Sequence, residues 1–545
     1  MESNTLFVLT LFALSFQQFC HHVHSLPLVI NMEMDNNYLK KRQEIIEKEY
    51  LTRIGGELVL TQAEDKVNQI LMAAKGKEIN DSFYNGVPFP PQLHFFEAKP
   101  AMENSTVFQF IKKMPKGGAL HLHDCSMTDL RWLVKNATYM DSCYMCYDQN
   151  KKINFHFFRS PPEQPGCPWH PVSFYRNQSA NVSAFDDMLY QSMSLEVVDP
   201  QTSYPTLDAV WQKFEEVLIR ANGLINYAPV FAAYYYEALK EFMEDNVQYL
   251  EVRALLPEVY DLDGKIYMPV QVMEIYRNTT IKFVQDNPAF TGAKVIKSNI
   301  RFKTPSIIKS DIIASAEMMS QFPDHFAGYD LVGQEDPGKP LLYYLDALLY
   351  PSSHKPPINL PYFFHAGETD WEGTSTDYNL IDAILLNTTR IGHGYALPKH
   401  SEAMKMVKKQ QIAVEVNPVS NQVLKLVDDL RNHPAAILIE QGFPVVISAD
   451  DPAVWGAKGL SYDFYEAFMG LAGKDADLKF LKQLAMNSLM YSAMRTQEKV
   501  QALDMWSTKW QIFINSTLEE YDGNNNLKTG LVFRNKIPQE VVGRR

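Results

Sequence analysis

The strongest constraint on the fold of this chain is a series of short apolar runs that end in polar residues and alternate with segments of helical spacing. Strands separated by helices form βαβ units, which pair into a parallel sheet. Eight such units close into a (β/α)8 barrel of the TIM type, which carries its catalytic groups at the carboxyl ends of the strands. We therefore predict an α/β barrel with the strands Gly118–Asp124, Val247–Leu255, Ala293–Arg301, Phe326–Gly333, Tyr362–Glu368, Arg390–Tyr395, Ala413–Asn421 and Pro444–Asp451.

Two regions of the 545-residue chain do not follow this alternation. Residues 26–112 are rich in charge and place apolar residues at helical spacing, which predicts an added N-terminal helical domain for packing or dimerisation. Residues 131–194 are dense in cysteine and proline. This composition predicts a loop-rich, disulfide-stapled insertion after the first strand of the barrel domain, which spans residues 113–545.

The cysteines leave more than one chemistry open. Cys143 and Cys146 form a C-x-x-C pair, which fits metal or redox chemistry as well as a structural disulfide to Cys167. No second C-x-x-C completes a zinc site, which favours the disulfide. We predict Cys146–Cys167 as the bonded pair and leave Cys125 and Cys143 unassigned.

The N-terminus has the features of a secretory signal peptide, residues 1–25. Its apolar run, Leu6–Phe16, is too short to span a membrane, and no later segment is long enough. A net charge of −13 disfavours nucleic acid or an anionic membrane as the main partner. We expect a secreted, extracellular glycoprotein with sequons at Asn80, Asn104, Asn136, Asn177, Asn181, Asn278, Asn387 and Asn515.

The first predicted strand ends in a His-x-His pattern. Side chains alternate along a strand, so His121 and His123 face the same side. Two neutral imidazoles at this spacing suit one divalent metal ion, although two histidines at a strand end can also be ordinary hydrogen-bonding residues. The pattern alone therefore leaves both interpretations open.

Three further strand ends favour the metal interpretation. His365 and Glu368 end the fifth strand, His393 ends the sixth, and the adjacent carboxylates Asp450 and Asp451 end the eighth. Three imidazoles and one carboxylate supply N and O ligands for a catalytic zinc ion. Glu368 and His393 remain available to move protons, which indicates a hydrolytic site.

These motifs, in this order, resemble the adenosine deaminase branch of the metal-dependent amidohydrolases. MPKGGALHLHD, NYAPVF, PYFFHAGETDW, NTTRIGHG, PVSNQVLKLVDDLRNHP and GAKGLSYDFYEAFMG further resemble the secreted adenosine deaminase-related growth factors. The resemblance covers essentially the whole chain after the leader. It implies hydrolytic deamination of adenosine and 2′-deoxyadenosine to the inosines and ammonia, by attack of zinc-activated hydroxide at C6.

The resemblance also implies roles for individual residues. His121, His123, His365 and Asp450 are expected to bind one Zn²⁺ per subunit. Glu368 is expected to protonate purine N1, and His393 to orient the attacking water. The expected substrate contacts are Asp124, Trp211, Gly333 and Asp451.

The family further implies a homodimer formed through the N-terminal domain and an insertion that binds a cell-surface receptor or glycosaminoglycan. Three hypotheses follow. The first is a secreted zinc adenosine deaminase that lowers extracellular adenosine. The second is a growth factor whose activity is independent of catalysis. The third, a phosphate-bearing substrate, is disfavoured because no Arg/Lys cluster borders the motifs.

Overall fold

The computed structural model describes residues 32–527, so the predicted signal peptide lies outside the described residues. The chain divides into two units, one ending at Thr52 and the other beginning at Arg53. The described part of the first unit is one helix, α1, Met32–Thr52. Its exposed apolar side chains recur at a spacing of seven residues, at Tyr38 and Ile45 and at Leu39 and Ile46.

The second unit is built around eight parallel strands, as predicted. They form two four-stranded sheets, and bridges from Tyr329 to Tyr362 and from Leu122 to Asp450 join the sheets at both edges, which closes the barrel. The barrel strands are β1 (Gly117–His123), β5 (Val247–Ala254), β8 (Gly292–Ile300), β9 (Phe326–Val332), β10 (His365–Ala366), β11 (Arg390–His393), β12 (Ala413–Val416) and β13 (Val445–Ile447).

Helices cover the outside of the barrel and form the N-terminal region. They are α2 (Gln62–Asn85), α3 (Phe95–Glu103), α4 (Thr106–Lys113), α5 (Leu130–Trp132), α6 (Val172–Gln178), α7 (Val182–Met193), α8 (Pro200–Ser203), α9 (Leu207–Ile225), α10 (Ala228–Glu244), α11 (Pro269–Asp286), α12 (Pro305–Gln321), α13 (Leu345–Leu348), α14 (Tyr350–Ser353), α15 (Asn379–Leu385), α16 (Ser401–Gln410), α17 (Pro418–Val423), α18 (Ala435–Glu440), α19 (Ser461–Glu466), α20 (Leu478–Met490) and α21 (Thr496–Leu527). No helix among these is both long and apolar enough to cross a membrane.

Helices α2 to α4 belong to the same unit as the barrel. α2 packs against α20 and α21, and α4 packs against α19. α2 begins at a capping box, in which the Thr61 hydroxyl and the Glu64 carboxylate each accept the other residue's backbone N–H. Apolar residues at helical spacing thus face the barrel wall over residues 62–113.

The insertion after β1 contains its own small sheet. β2 (Cys143–Tyr147), β3 (Ile153–Phe157) and β4 (His170–Pro171) are antiparallel in the order β3-β2-β4. A separate antiparallel pair, β6 (Val259–Tyr260) and β7 (Ile266–Tyr267), follows β5 in the chain. A disulfide joins Cys146 to Cys167, whereas Cys125 and Cys143 are free thiols. β3 packs against α9, where Nε of Arg220 donates to the carbonyl of Ile153 at 2.8 Å. The insertion therefore supports α9 from outside.

The interior of the barrel contains paired charges as well as apolar side chains. Arg253 binds Asp330 and Glu415, and Arg390 binds Glu251 and Glu415, with nitrogen–oxygen distances of 2.5–2.7 Å. All five side chains are buried. Buried ions are tolerated when each one is paired and hydrogen-bonded, and here the pairs cross from one strand to another.

Candidate metal centre and active site

Four side chains meet at the carboxyl ends of three barrel strands. His121 and His123 come from β1, His365 from β10, and Asp450 follows β13. One ligand atom from each lies within 4.8 Å of all the others. The structure thus brings together the four residues that the sequence predicts as metal ligands.

Two atoms of this group indicate what it can hold. Nε2 of His121 and Oδ1 of Asp450 are buried and have no hydrogen-bond partner among the described residues. They lie 3.2 Å apart, and Nε2 of His123 is 3.1 Å from the same Oδ1. Buried polar atoms are seldom left unpaired. A divalent cation bound between them satisfies both, and the three-imidazole, one-carboxylate set fits zinc.

Buried carboxylates fix the tautomers of two of these histidines. Nδ1 of His121 lies 2.7 Å from Glu415, and Nδ1 of His365 lies 2.7 Å from Asp330. An ionised carboxylate only accepts hydrogen bonds, so each Nδ1 carries the proton and each Nε2 keeps its lone pair for a metal. Arg253 binds both carboxylates and holds them in place.

Asp450 and His393 both have backbone angles in the left-handed region. Their φ angles are 60° and 59°, values that residues other than glycine rarely adopt. The Ser420 hydroxyl donates to Oδ2 of Asp450 at 2.7 Å, which leaves Oδ1 free. Such backbone strain persists where the surrounding structure holds it, often at functional sites.

The turn after β10 places Glu368 beside the four ligands. Gly367 has a φ of 77°, and a Cβ there would lie 2.9 Å from the Leu380 side chain, so glycine is required. The backbone N–H groups of Gly367 and Glu368 donate to the Glu335 carboxylate at 3.1 and 2.7 Å. Burial first, and then repulsion from Asp450 and Glu335, holds the pKa of Glu368 well above its usual range.

A cavity of about 390 Å³ opens onto this group. Its volume suits a small-molecule substrate. Every residue predicted as a metal ligand, catalytic group or substrate contact lines it except His121, which is fully buried below the cavity. The lining includes His123, Asp124, Trp211, Gly333, His365, Glu368, His393, Asp450 and Asp451.

Comparison with known proteins identifies the family. The sequence profile described as "Adenosine deaminase" matches residues 193–508, and the one described as "Adenosine/AMP deaminase N-terminal" matches residues 12–111. The chain belongs to the adenosine deaminase family. It is 47% identical over 479 residues to pig Adenosine deaminase 2, covering 87% of this chain and 93% of that protein.

Other members of the adenosine deaminase family are nearly as similar. The human Adenosine deaminase 2 is 46% identical over 475 residues, covering 87% of this chain and 92% of that protein. The adenosine deaminase of Phlebotomus duboscqi is 44% identical over 481 residues, covering 88% and 92%. The solved Arabidopsis N6-mAMP deaminase has a TM-score of 0.53 at 18% identity, covering 73% of this chain and 99% of that one, which shows the fold alone.

Several residues that shape this deaminase site do not follow from the sequence motifs. Asp330, Glu415 and Arg253 lie within apolar runs, and α9 adds Phe214 and Asn222 to the cavity wall. The sequence does contain a signal for Asp330, Glu415 and Arg253. A charged residue inside an otherwise apolar strand needs a buried partner, so its presence indicates a buried ion pair. For the α9 residues no such signal exists.

Proposed function

We propose that this chain is a secreted, zinc-dependent enzyme that hydrolyses adenosine and 2′-deoxyadenosine to inosine and 2′-deoxyinosine with release of ammonia. The observation that carries the proposal is the pair of unpaired buried atoms, Nε2 of His121 and Oδ1 of Asp450, beneath a cavity that also contains Glu368 and His393. Family membership and the names of the relatives support adenosine as the substrate.

His121, His123, His365 and Asp450 would hold the zinc ion, because their donor atoms converge there. When bound, a zinc ion lowers the pKa of a water molecule to about 7 and so supplies a nucleophile at neutral pH. The chain's own contribution is to fix the two tautomers described above. Those tautomers direct the imidazole lone pairs at the site.

Glu368 is the proton donor in this mechanism. Burial and the neighbouring carboxylates raise its pKa, which favours the protonated carboxyl that a general acid requires. Transfer of that proton to N1 of the purine makes C6 more electrophilic. Water adds to C6 through its oxygen, which forms the new C–O bond. One of its protons goes to the amino group, which leaves as ammonia when the C6–N bond breaks, and the other returns to Glu368.

Other cavity residues would orient the nucleoside. Burial raises the pKa of Asp451 to about 8, so its carboxyl carries a proton and can donate to N7, a hydrogen-bond acceptor. Gly333 follows β9 with a φ of 99° and would present its backbone N–H to N3. Asp124, which accepts from the Tyr276 hydroxyl at 3.0 Å, and Trp211 on α9 would contact the ribose.

Secretion is supported by surface chemistry. The asparagines of all eight sequons are exposed, so each is accessible to glycosylation. The Cys146–Cys167 disulfide fits an oxidising compartment. The signal peptide stays a prediction from residues 1–25.

A homodimer is supported by α1. Tyr38, Leu39, Ile45 and Ile46 are exposed on one helix at a seven-residue repeat, the spacing that buries apolar residues between paired helices. We expect light scattering to report a dimer, and Leu39→Glu with Ile46→Glu to report a monomer. An unchanged mass would place the dimer contact elsewhere.

The proposed receptor or glycosaminoglycan partner of the insertion has less support. Five of its six Lys and Arg side chains already pair with acidic residues. A polyanion would therefore have to displace existing ion pairs. A receptor protein that recognises the shape of the insertion is therefore favoured as the partner, rather than a sulfated polysaccharide.

Glu368→Gln tests the catalytic proposal. It keeps the side-chain volume and removes the transferable proton, so kcat for adenosine should fall by about 10²–10⁴-fold while KM changes little. Glu372→Gln, at an exposed position four residues on, is the matched control and should behave as wild type. Wild-type turnover by Glu368→Gln would refute the assignment. Cell stimulation that survives in this variant would instead favour the catalysis-independent growth factor.

A further inference from the structure

A buried chain of hydrogen bonds leads away from His393 on the side opposite the metal site. The backbone N–H of Ala435 donates to Nδ1 of His433 at 3.0 Å. Nε2 of His433 lies 2.9 Å from Oδ1 of Asn421, and Nδ2 of Asn421 lies 3.0 Å from Nδ1 of His393. All four residues are buried.

The first link fixes the direction of every other link. A backbone N–H is always a donor, so Nδ1 of His433 must accept and the ring proton must be on Nε2. Burial lowers the pKa of His433 to about 3, which keeps the ring neutral. Nε2–H therefore donates to Oδ1 of Asn421, and the Asn421 amide turns its NH₂ group toward His393.

We propose that His433 and Asn421 are positioning residues that set the tautomer of His393, with Nδ1 unprotonated and the proton on Nε2. This inference rests on the function proposed above. Nε2 of His393 lies on the metal-site side, 3.7 Å from Oδ2 of Asp450. His393 therefore donates a hydrogen bond to the attacking water and is not the base that deprotonates it.

The amide of Asn417 also lies beside His393, with Nδ2 3.4 Å from the same Nδ1. Its Oδ1 is buried and has no hydrogen-bond partner among the described residues, so the tautomer assignment rests on Asn421, whose orientation the link to His433 fixes. Glu368 has an oxygen 3.5 Å from Nδ1, and the protonated carboxyl that the mechanism assigns to Glu368 is a further donor beside this nitrogen. α17 thus orients two site groups at once, Asp450 through Ser420 and His393 through Asn421.

Asn421→Asp is the sharpest perturbation. A carboxylate of the same shape still accepts from His433, but it also accepts from His393, which draws the ring proton from Nε2 to Nδ1. Removing one preorganised hydrogen-bond donor that faces the charge developing in the transition state lowers kcat by about 10²–10³-fold. We expect that loss for adenosine, with KM within threefold of wild type and the zinc content unchanged.

Two further variants show whether the loss comes from the hydrogen-bond chain or from a packing defect. His433→Phe keeps a ring but breaks the chain, which frees the Asn421 amide to rotate, so kcat should fall about tenfold. Ile439→Val, a buried change on the helix that begins at Ala435, is the control for a general packing defect and should leave kcat unchanged. Wild-type kcat in folded Asn421→Asp would overturn the proposal.

The tautomer itself can be read without turnover. ¹⁵N NMR of histidine-labelled protein, zinc-free and zinc-loaded, should show His393 protonated on Nε2 in wild type and on Nδ1 in Asn421→Asp. Signals are assigned by their loss in His393→Gln and His433→Phe. A wild-type His393 protonated on Nδ1 would overturn the inference even if Asn421→Asp failed to fold. If the tautomer is as stated but adenosine is not turned over, the proposed substrate fails and the positioning role stands.

Discussion

Glu335→Gln should slow turnover far more than it weakens substrate binding. The Glu335 carboxylate accepts from the backbone N–H groups of Gly367 and Glu368 at 3.1 and 2.7 Å, and from Nδ2 of Asn379 at 2.6 Å. It also lies 3.8 Å from Nη1 of Arg301. A glutamine has the same shape, but its NH₂ group must face at least one of these donors.

The size of the effect follows from that mismatch. One buried donor without an acceptor costs about 1–3 kcal/mol in the free energy of unfolding. If the turn relaxes instead, the Glu368 carboxyl moves, and a displacement of about 1 Å costs about 10²-fold in rate. We expect kcat to fall about 10²-fold and KM to stay within a few-fold, because the other residues that line the cavity stay in place.

This prediction is tested by initial rates, measured from the loss of adenosine absorbance. Zinc content and thermal unfolding are measured on the same samples. Glu64→Gln is the matched control. Glu64 is an equally buried carboxylate on α2, bonded to Lys482 and Trp510 at 2.6 and 2.7 Å. It should lose stability and keep kcat. If Glu335→Gln retains a kcat within threefold of wild type, Glu335 does not position Glu368.

Three further predictions test other parts of the structure. Asp330→Asn should weaken zinc binding about 10–100-fold in a metal titration, because His365 loses the carboxylate that fixes its tautomer. Cys146→Ser should lower the free energy of unfolding by about 3 kcal/mol in denaturant melts, because the disulfide to Cys167 closes a loop with a sequence separation of 21. Lys75→Met should remove a rise in stability of about 2 kcal/mol between pH 7 and 9, measured by melts at both pH values.

The sign of the last prediction follows from burial. Burial lowers the pKa of Lys75 from 10.5 to about 7, so the unfolded chain binds more protons than the folded one between these values. Stability therefore rises with pH in that window. The Lys75 argument would be wrong if Lys75→Met showed the same pH dependence of stability as wild type. Equal melts with and without the disulfide would contradict the Cys146 prediction, and unchanged zinc affinity in Asp330→Asn would contradict the role given to Asp330.

The barrel follows from the sequence because two local signals agree. Apolar runs of strand length alternate with helical spacing, and polar residues end the runs, so β1 is predicted to within one residue at each end. The ligand positions follow from the same strand ends. Strand-end geometry then places His121 and Asp450, which are far apart in the chain, side by side.

The supporting residues could not be predicted in this way. Arg253 and Glu415 are 162 residues apart, and only the closed barrel brings them into contact. The chain from Ala435 to His393 likewise passes between separate elements. Helical spacing at α2 indicates a buried face, but it does not tell which helices cover that face.

The most direct test of the account is adenosine turnover as zinc is removed and returned. The account predicts that purified protein forms inosine, that a chelator abolishes this activity, and that zinc restores it in proportion up to one ion per chain. His121→Ala and Asp450→Ala should neither bind zinc nor regain activity. Full activity in zinc-free protein would contradict the central claim that these residues form a catalytic metal centre.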